Sequence, residues 1–143
     1  MDQFLLHLRI LNNILEKKLE MLNQVYNITQ NQQSVCSAQP DGGILELYKG
    51  MIDEKQKLID EINISDKIFE KTYREIGAVF EAEAPKHAGL IKRMQEGIKR
   101  VTALDTRIRV LEARNGSPRG NSAKVKDNAL SRKRAARIYT GEH

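Results

Sequence analysis

There is no tryptophan in this sequence of 143 residues, and it holds only one cysteine, three prolines and three phenylalanines. A lone Cys36 excludes an internal disulfide and a thiolate pair for a metal, and it reads as a plain loop residue. Few prolines and few β-branched runs, with 30% charged residues, favour long amphipathic helices over a sheet. No run approaches the ~18 apolar residues of a membrane span. Asp2 stands where a signal peptide carries basic residues, so a soluble, cytoplasmic protein with no membrane insertion is expected.

Chemistry-bearing motifs are equally scarce. His7, His87 and His143 have no cysteine or carboxylate at metal-ligand spacing in the sequence, Gly42-Gly43 lacks the Lys-Ser/Thr of a phosphate loop, and no catalytic constellation stands out. The reading is of a protein that is not an enzyme and needs no cofactor. His7 is a flank residue of the first helix, and His87, just after Pro85, is a cap or core histidine. The acidic pairs at 53–54 and 60–61 recur after seven residues, the mark of a solvated coiled-coil face.

What is present is apolar spacing by threes and fours. The first row runs Phe4, Leu8, Leu11, Leu15, Leu22 and Val25, broken only by Lys18, with Leu5, Leu19 and Tyr26 widening the stripe. A stripe that wide predicts contact with more than one neighbour. The row fades into polar residues after Ile28, and Pro40 with Asp41-Gly42-Gly43 turns the chain. The second row runs Leu45, Tyr48, Ile52, Lys55, Ile59, Ile62, Asp66, Phe69, Tyr73, Ile76 and Phe80, a rod of roughly 54 Å that is expected to end or kink at Pro85. The third runs Leu90, Met94, Gly97, Val101, Leu104, Ile108 and Leu111, up to the stop signal Asn115-Gly116. Gly97 in that seam is either a close helix approach or a tolerated weak point. These rows predict an all-α body over residues 1–115, an antiparallel coiled-coil bundle of three long helices with 4–33 against 44–80 and 86–114 folding back. Seams of this kind also permit a homo-oligomer.

Residues 1–114 carry 17 Lys+Arg against 17 Asp+Glu, so the whole net charge of +5 lies in 116–143, where seven basic residues face Asp127 and Glu142. With too few large apolar residues for a core, that tail is expected to be flexible and disordered alone, folding on a partner. Leu130, Ile138 and Tyr139 are its candidate apolar anchors, and Arg132, Lys133, Arg134 and Arg137 its steering charges. Nucleic acid is the weaker partner, because one aromatic beside a neutral body offers no second surface for a strand.

The stretch "LLHLRILNNILEKKLEMLNQV", then "LYKGMIDEKQKLIDEINISDKIFEKTYREI", resembles the FlgN family of flagellar type III export chaperones over residues 4 to 111. The carrying features are the Leu-rich first helix with "LEKKLEML", the segment "EKQKLIDEI", and Phe69 and Tyr73 further along. The resemblance implies a cytoplasmic chaperone that keeps hook-filament junction (hook-associated) proteins unpolymerised and delivers them to the export gate and its ATPase. It also implies a C-terminal region that contributes to substrate binding. The strong basic charge of the tail here departs from that pattern, and the alternative is a small helical nucleic-acid-binding or scaffold protein acting through the tail.

Overall fold

The computed structural model describes residues 2–36 and 42–115, and these form an all-α bundle with no strand among them. Helix α1 (Gln3–Cys36) leads to α2 (Gly42–Gly77), then a single turn α3 (Phe80–Glu83), a 3-10 turn Ala84–His87, and α4 (Ala88–Arg114). His7 facing Glu75, Lys18 facing Asp66 and Gln32 facing Lys55 set α2 antiparallel to α1. Asn12 facing Leu90, Glu16 facing Arg93 and Thr29 facing Asn115 set α4 parallel to α1. The bundle is therefore up-down-up, and α1 is the shared helix, packing on both of the others.

The wide stripe on α1 explains that position. Phe4, Leu8, Leu11, Leu15, Leu22 and Val25 are buried, and Leu19 and Tyr26 pack at the margin. From α2 come Ile59, Ile62, Phe69 and Ile76, and from α4 Met94, Ile98, Val101, Leu104 and Ile108. Each such side chain contributes about 1.5–3 kcal/mol by leaving water, so the three rows together supply the drive for folding. Gly97 is a close approach: a Cβ there would meet the Leu15 side chain at 3.2 Å, which lets α4 lie tight on α1.

Four expectations are corrected. The first helix does not end near residue 33; Thr29 and Gln32 are buried and α1 continues to Cys36, which is thus its last residue and not a loop residue. The polar run can enter the bundle because its buried groups are satisfied: the Thr29 hydroxyl donates to the Val25 carbonyl and Gln32 accepts from Lys55 across the bundle. At the other end, the rod stops at Gly77, well before Pro85. A turn through Ala78 and Val79, closed by the Val79 amide on the Ile76 carbonyl, separates off Phe80. Pro85 lies inside the 3-10 turn, near its start, where its missing N–H costs nothing. At the start of α2, Gly42 and Gly43, expected in the turn, are already helical, and the row is open there, with Leu45 61% exposed and Tyr48 and Ile52 half-buried. The residues of the first interhelical loop, 37–41, lie outside the described residues.

Candidate binding surfaces

The tail residues Leu130, Arg132, Lys133, Arg134, Arg137, Ile138 and Tyr139 lie outside the described residues, as does His143. The structure does define the platform from which the tail departs. Asn115 closes α4, donating from Nδ2 to the Thr29 carbonyl at 3.1 Å, while its amide bonds the Leu111 carbonyl. Beside it, Lys55 Nζ lies 3.3 Å from Gln32 Oε1 and 3.4 Å from Glu112 Oε1. All three helices are thus tied together by polar groups at this end.

The opposite end is apolar and aromatic. All three phenylalanines approach it: Phe4 meets Phe80 edge-on at 6.1 Å, Phe69 stacks on Tyr73 at 6.1 Å, and Tyr73 lies 6.5 Å from Phe80. His87 stacks on Phe4 at 5.6 Å and its Nε2 is 3.0 Å from Asp2 Oδ2. Asp2, Glu83 and His87, far apart in sequence, come within 4.8 Å of one another through their ligand atoms, a grouping sequence spacing could not show. These groups are engaged in holding the fold. Asp2 Oδ1 caps α1 by accepting from the Leu5 amide at 3.2 Å, and Glu83 pairs with Lys86. The Leu5 amide chiefly, helped by His87, holds the Asp2 carboxyl below the ordinary aspartate value against a smaller opposing effect of burial. The cluster works as a clasp between the start of α1 and the α3–α4 junction. His7, expected on the flank, is half-buried and pairs with Glu75 at 3.3 Å.

Among the described residues, two surfaces that pair exposed large apolar side chains stand apart from the buried stripes. On α2, Ile64 and Ile68 lie one turn apart outside the buried stripe and are 60% and 50% exposed. Their signal was present in the sequence as an i, i+4 apolar pair off the seam. The second is the start of α2. Gln32 lies against Lys55, so Cys36, four residues on, falls level with Met51. Residues 42–50 therefore project roughly 14 Å past the end of α1 at 1.5 Å per residue. Leu45 and Leu47 are on this projection, and Leu47 is 54% exposed. The acidic residues Asp53, Glu54 and Asp60 flank an open depression nearby, as a solvated face should.

Charge is not spread evenly over the neutral body. Helix α2 has eight acidic and six basic residues, a net of −2, whereas α4 has seven basic and three acidic, a net of +4. Arg93 and Arg109 of α4 are paired with Glu16 and Asp105. Lys92, Lys99, Arg100, Arg107 and Arg114 are exposed, and the last three repeat every seventh residue along one outer stripe. The neutral sum hid a second basic surface, continuous in sequence with the tail.

Set against protein-family models, curated proteins and solved structures, the chain matches none of them. No helix among the described residues is long and apolar enough to cross a membrane.

Proposed function

We propose that the protein is a cytoplasmic chaperone of flagellar type III export, without catalytic activity, that holds the terminal helices of hook-associated proteins and passes them to the export gate and its ATPase. The observation that carries this reading is the exposed pair Ile64 and Ile68, within the FlgN-like stretch. A helix laid along another helix is read through anchors at i and i+4, and an isolated apolar pair rimmed by charges is such a reading head. Lys57, Glu61, Lys67 and Lys71 form that rim here. The long, clasped bundle is a rigid support for the pair, and Leu130, Ile138 and Tyr139 of the tail supply further anchors.

The test is complex formation with the terminal helices of a hook-associated protein, followed by size-exclusion chromatography and titration calorimetry. A stoichiometric complex that weakens at least tenfold in the Ile64→Ser/Ile68→Ser variant supports the reading, since two buried anchors are together worth well over ~1.4 kcal/mol. Binding unchanged by that variant overturns it. One observation favours a second reading, nucleic-acid binding: the stripe Arg100, Arg107 and Arg114 leads into the basic tail. That reading requires affinity for a random duplex falling linearly with salt on logarithmic axes, with a smaller slope in Arg100→Gln/Arg107→Gln/Arg114→Gln.

A further inference from the structure

We infer that residues 130–139 of the basic tail dock, within the same chain, on the part of α2 that projects past the end of α1. The inference concerns the chain alone and does not rest on the chaperone reading. Four observations converge on it. Direction comes first: α4 runs antiparallel to α2, and Glu112 lies against Lys55, so Asn115 is level with Ile52. A chain leaving Asn115 in the direction of α4 is therefore aimed along α2 from Ile52 towards Gly42. Because Asn115 is fixed to the Thr29 carbonyl, that point of departure is held.

Reach is ample. From Ile52 to Leu45 is seven residues, about 10 Å along a helix, whereas the fifteen residues from Asn115 to Leu130 can extend about 50 Å. Charge is complementary. Residues 42–54 carry Glu46, Asp53 and Glu54 against Lys49, a net of −2, and the tail carries seven basic against two acidic residues, a net of +5. Apolar matching is the fourth. Leu45 continues the seam of Ile52 and Ile59 past the level of the last residue of α1 and is 61% exposed. Leu130, Ile138 and Tyr139 are large apolar side chains in the stretch of tail that reaches this row. A tethered segment is held at an effective concentration in the millimolar range, so weak contacts suffice to seat it. Both charge attraction and apolar burial are needed, since exposed ion pairs alone contribute about 0–1 kcal/mol each.

The test uses the full chain with a nitroxide at Gly50, in a Cys36→Ser/Gly50→Cys background. Gly50 is exposed on the projection and a Cβ there meets nothing within 4 Å, so the label displaces no packed group. Relaxation enhancement is read at the amides of residues 130–139, with the same chain in urea as the undocked reference. Docking predicts enhancement well above that reference at low salt. It should fall to the reference in Arg132→Glu/Lys133→Glu/Arg134→Glu and in Leu45→Ser/Leu47→Ser, with circular dichroism confirming that both variants remain helical. Should the serine variant lose helix, the glutamate variant decides alone. Enhancement equal to the urea reference in the unsubstituted chain overturns the inference, and so does enhancement that neither variant changes. A mixture of labelled and isotope-enriched chains separates the occupants: enhancement across that mixture means the tail of a second copy, which overturns docking within the chain.

Discussion

A lysine in an apolar row is costly unless its charge is met, and Lys18 is met by Asp66 at 2.6 Å with both side chains under 10% exposed. The two residues interrupt the rows of α1 and α2 at the same height. Such a pair adds little net stability over apolar residues but penalises every register in which it is broken. Asp66→Ala should therefore cost about 3–5 kcal/mol, because it removes the carboxylate that meets a buried ammonium, while Lys18→Met/Asp66→Leu should be neutral or stabilising. Urea unfolding of the two variants measures the contrast, and a double variant as unstable as the single one would show that the pair is a true source of stability. Phe69 tests the apolar side of the same seam. It is fully buried and stacked on Tyr73, so Phe69→Ala should lower stability by about 3–5 kcal/mol. An unchanged melting temperature would contradict its enclosure.

At the scale of elements, the three helices were legible because each row holds its spacing over many turns, and Ile59, Ile62 and Phe69 are buried as that spacing requires. The ends were not legible. Gly77 stops α2 where the row reads on to Phe80, and Phe80 meets Phe4 and Tyr73 from beyond the turn, so the apolar spacing alone does not mark the stop. The polar residues after Ile28 looked like a loop because their partners, Lys55 and Asn115, are remote in sequence. The candidate tail anchors lie outside the described residues, while Ile64 and Ile68 were legible only as residues the seam left over. The clasp at the start of α1 gives a pH prediction. Asp2 titrates below its ordinary value in the folded chain, chiefly because its carboxylate accepts from the Leu5 amide. Its contribution is therefore fully present above the ordinary aspartate range and disappears as pH falls through the lowered folded value. Asp2→Asn should melt lower than the parent at neutral pH, with the difference closing in strong acid. A gap that is constant with pH would mean that the carboxylate charge is not what the cap uses.

On the scale of the whole molecule, a neutral body with a basic tail is the wrong picture of its field, because folding sorts the charges into an acidic α2 and a basic α4 on either side of α1. A summed charge cannot reveal that; it depends on which helix faces where. The same arrangement decides how the molecule unfolds. Both outer helices bury their apolar rows against α1 and meet one another through long side chains such as Lys55 and Glu112, so neither can keep its core once α1 is lost. Leu11 lies in the middle of the shared stripe and is fully buried. Leu11→Ala should cost about 2–5 kcal/mol, a large part of the 5–15 kcal/mol typical of a domain. It should shift the urea midpoint without changing the slope. Amide exchange in α2 and α4 should rise together in this variant, because one opening exposes both. If α4 exchanges faster while α2 keeps its protection, the outer helices are held by something other than α1, and the account of α1 as the common support fails.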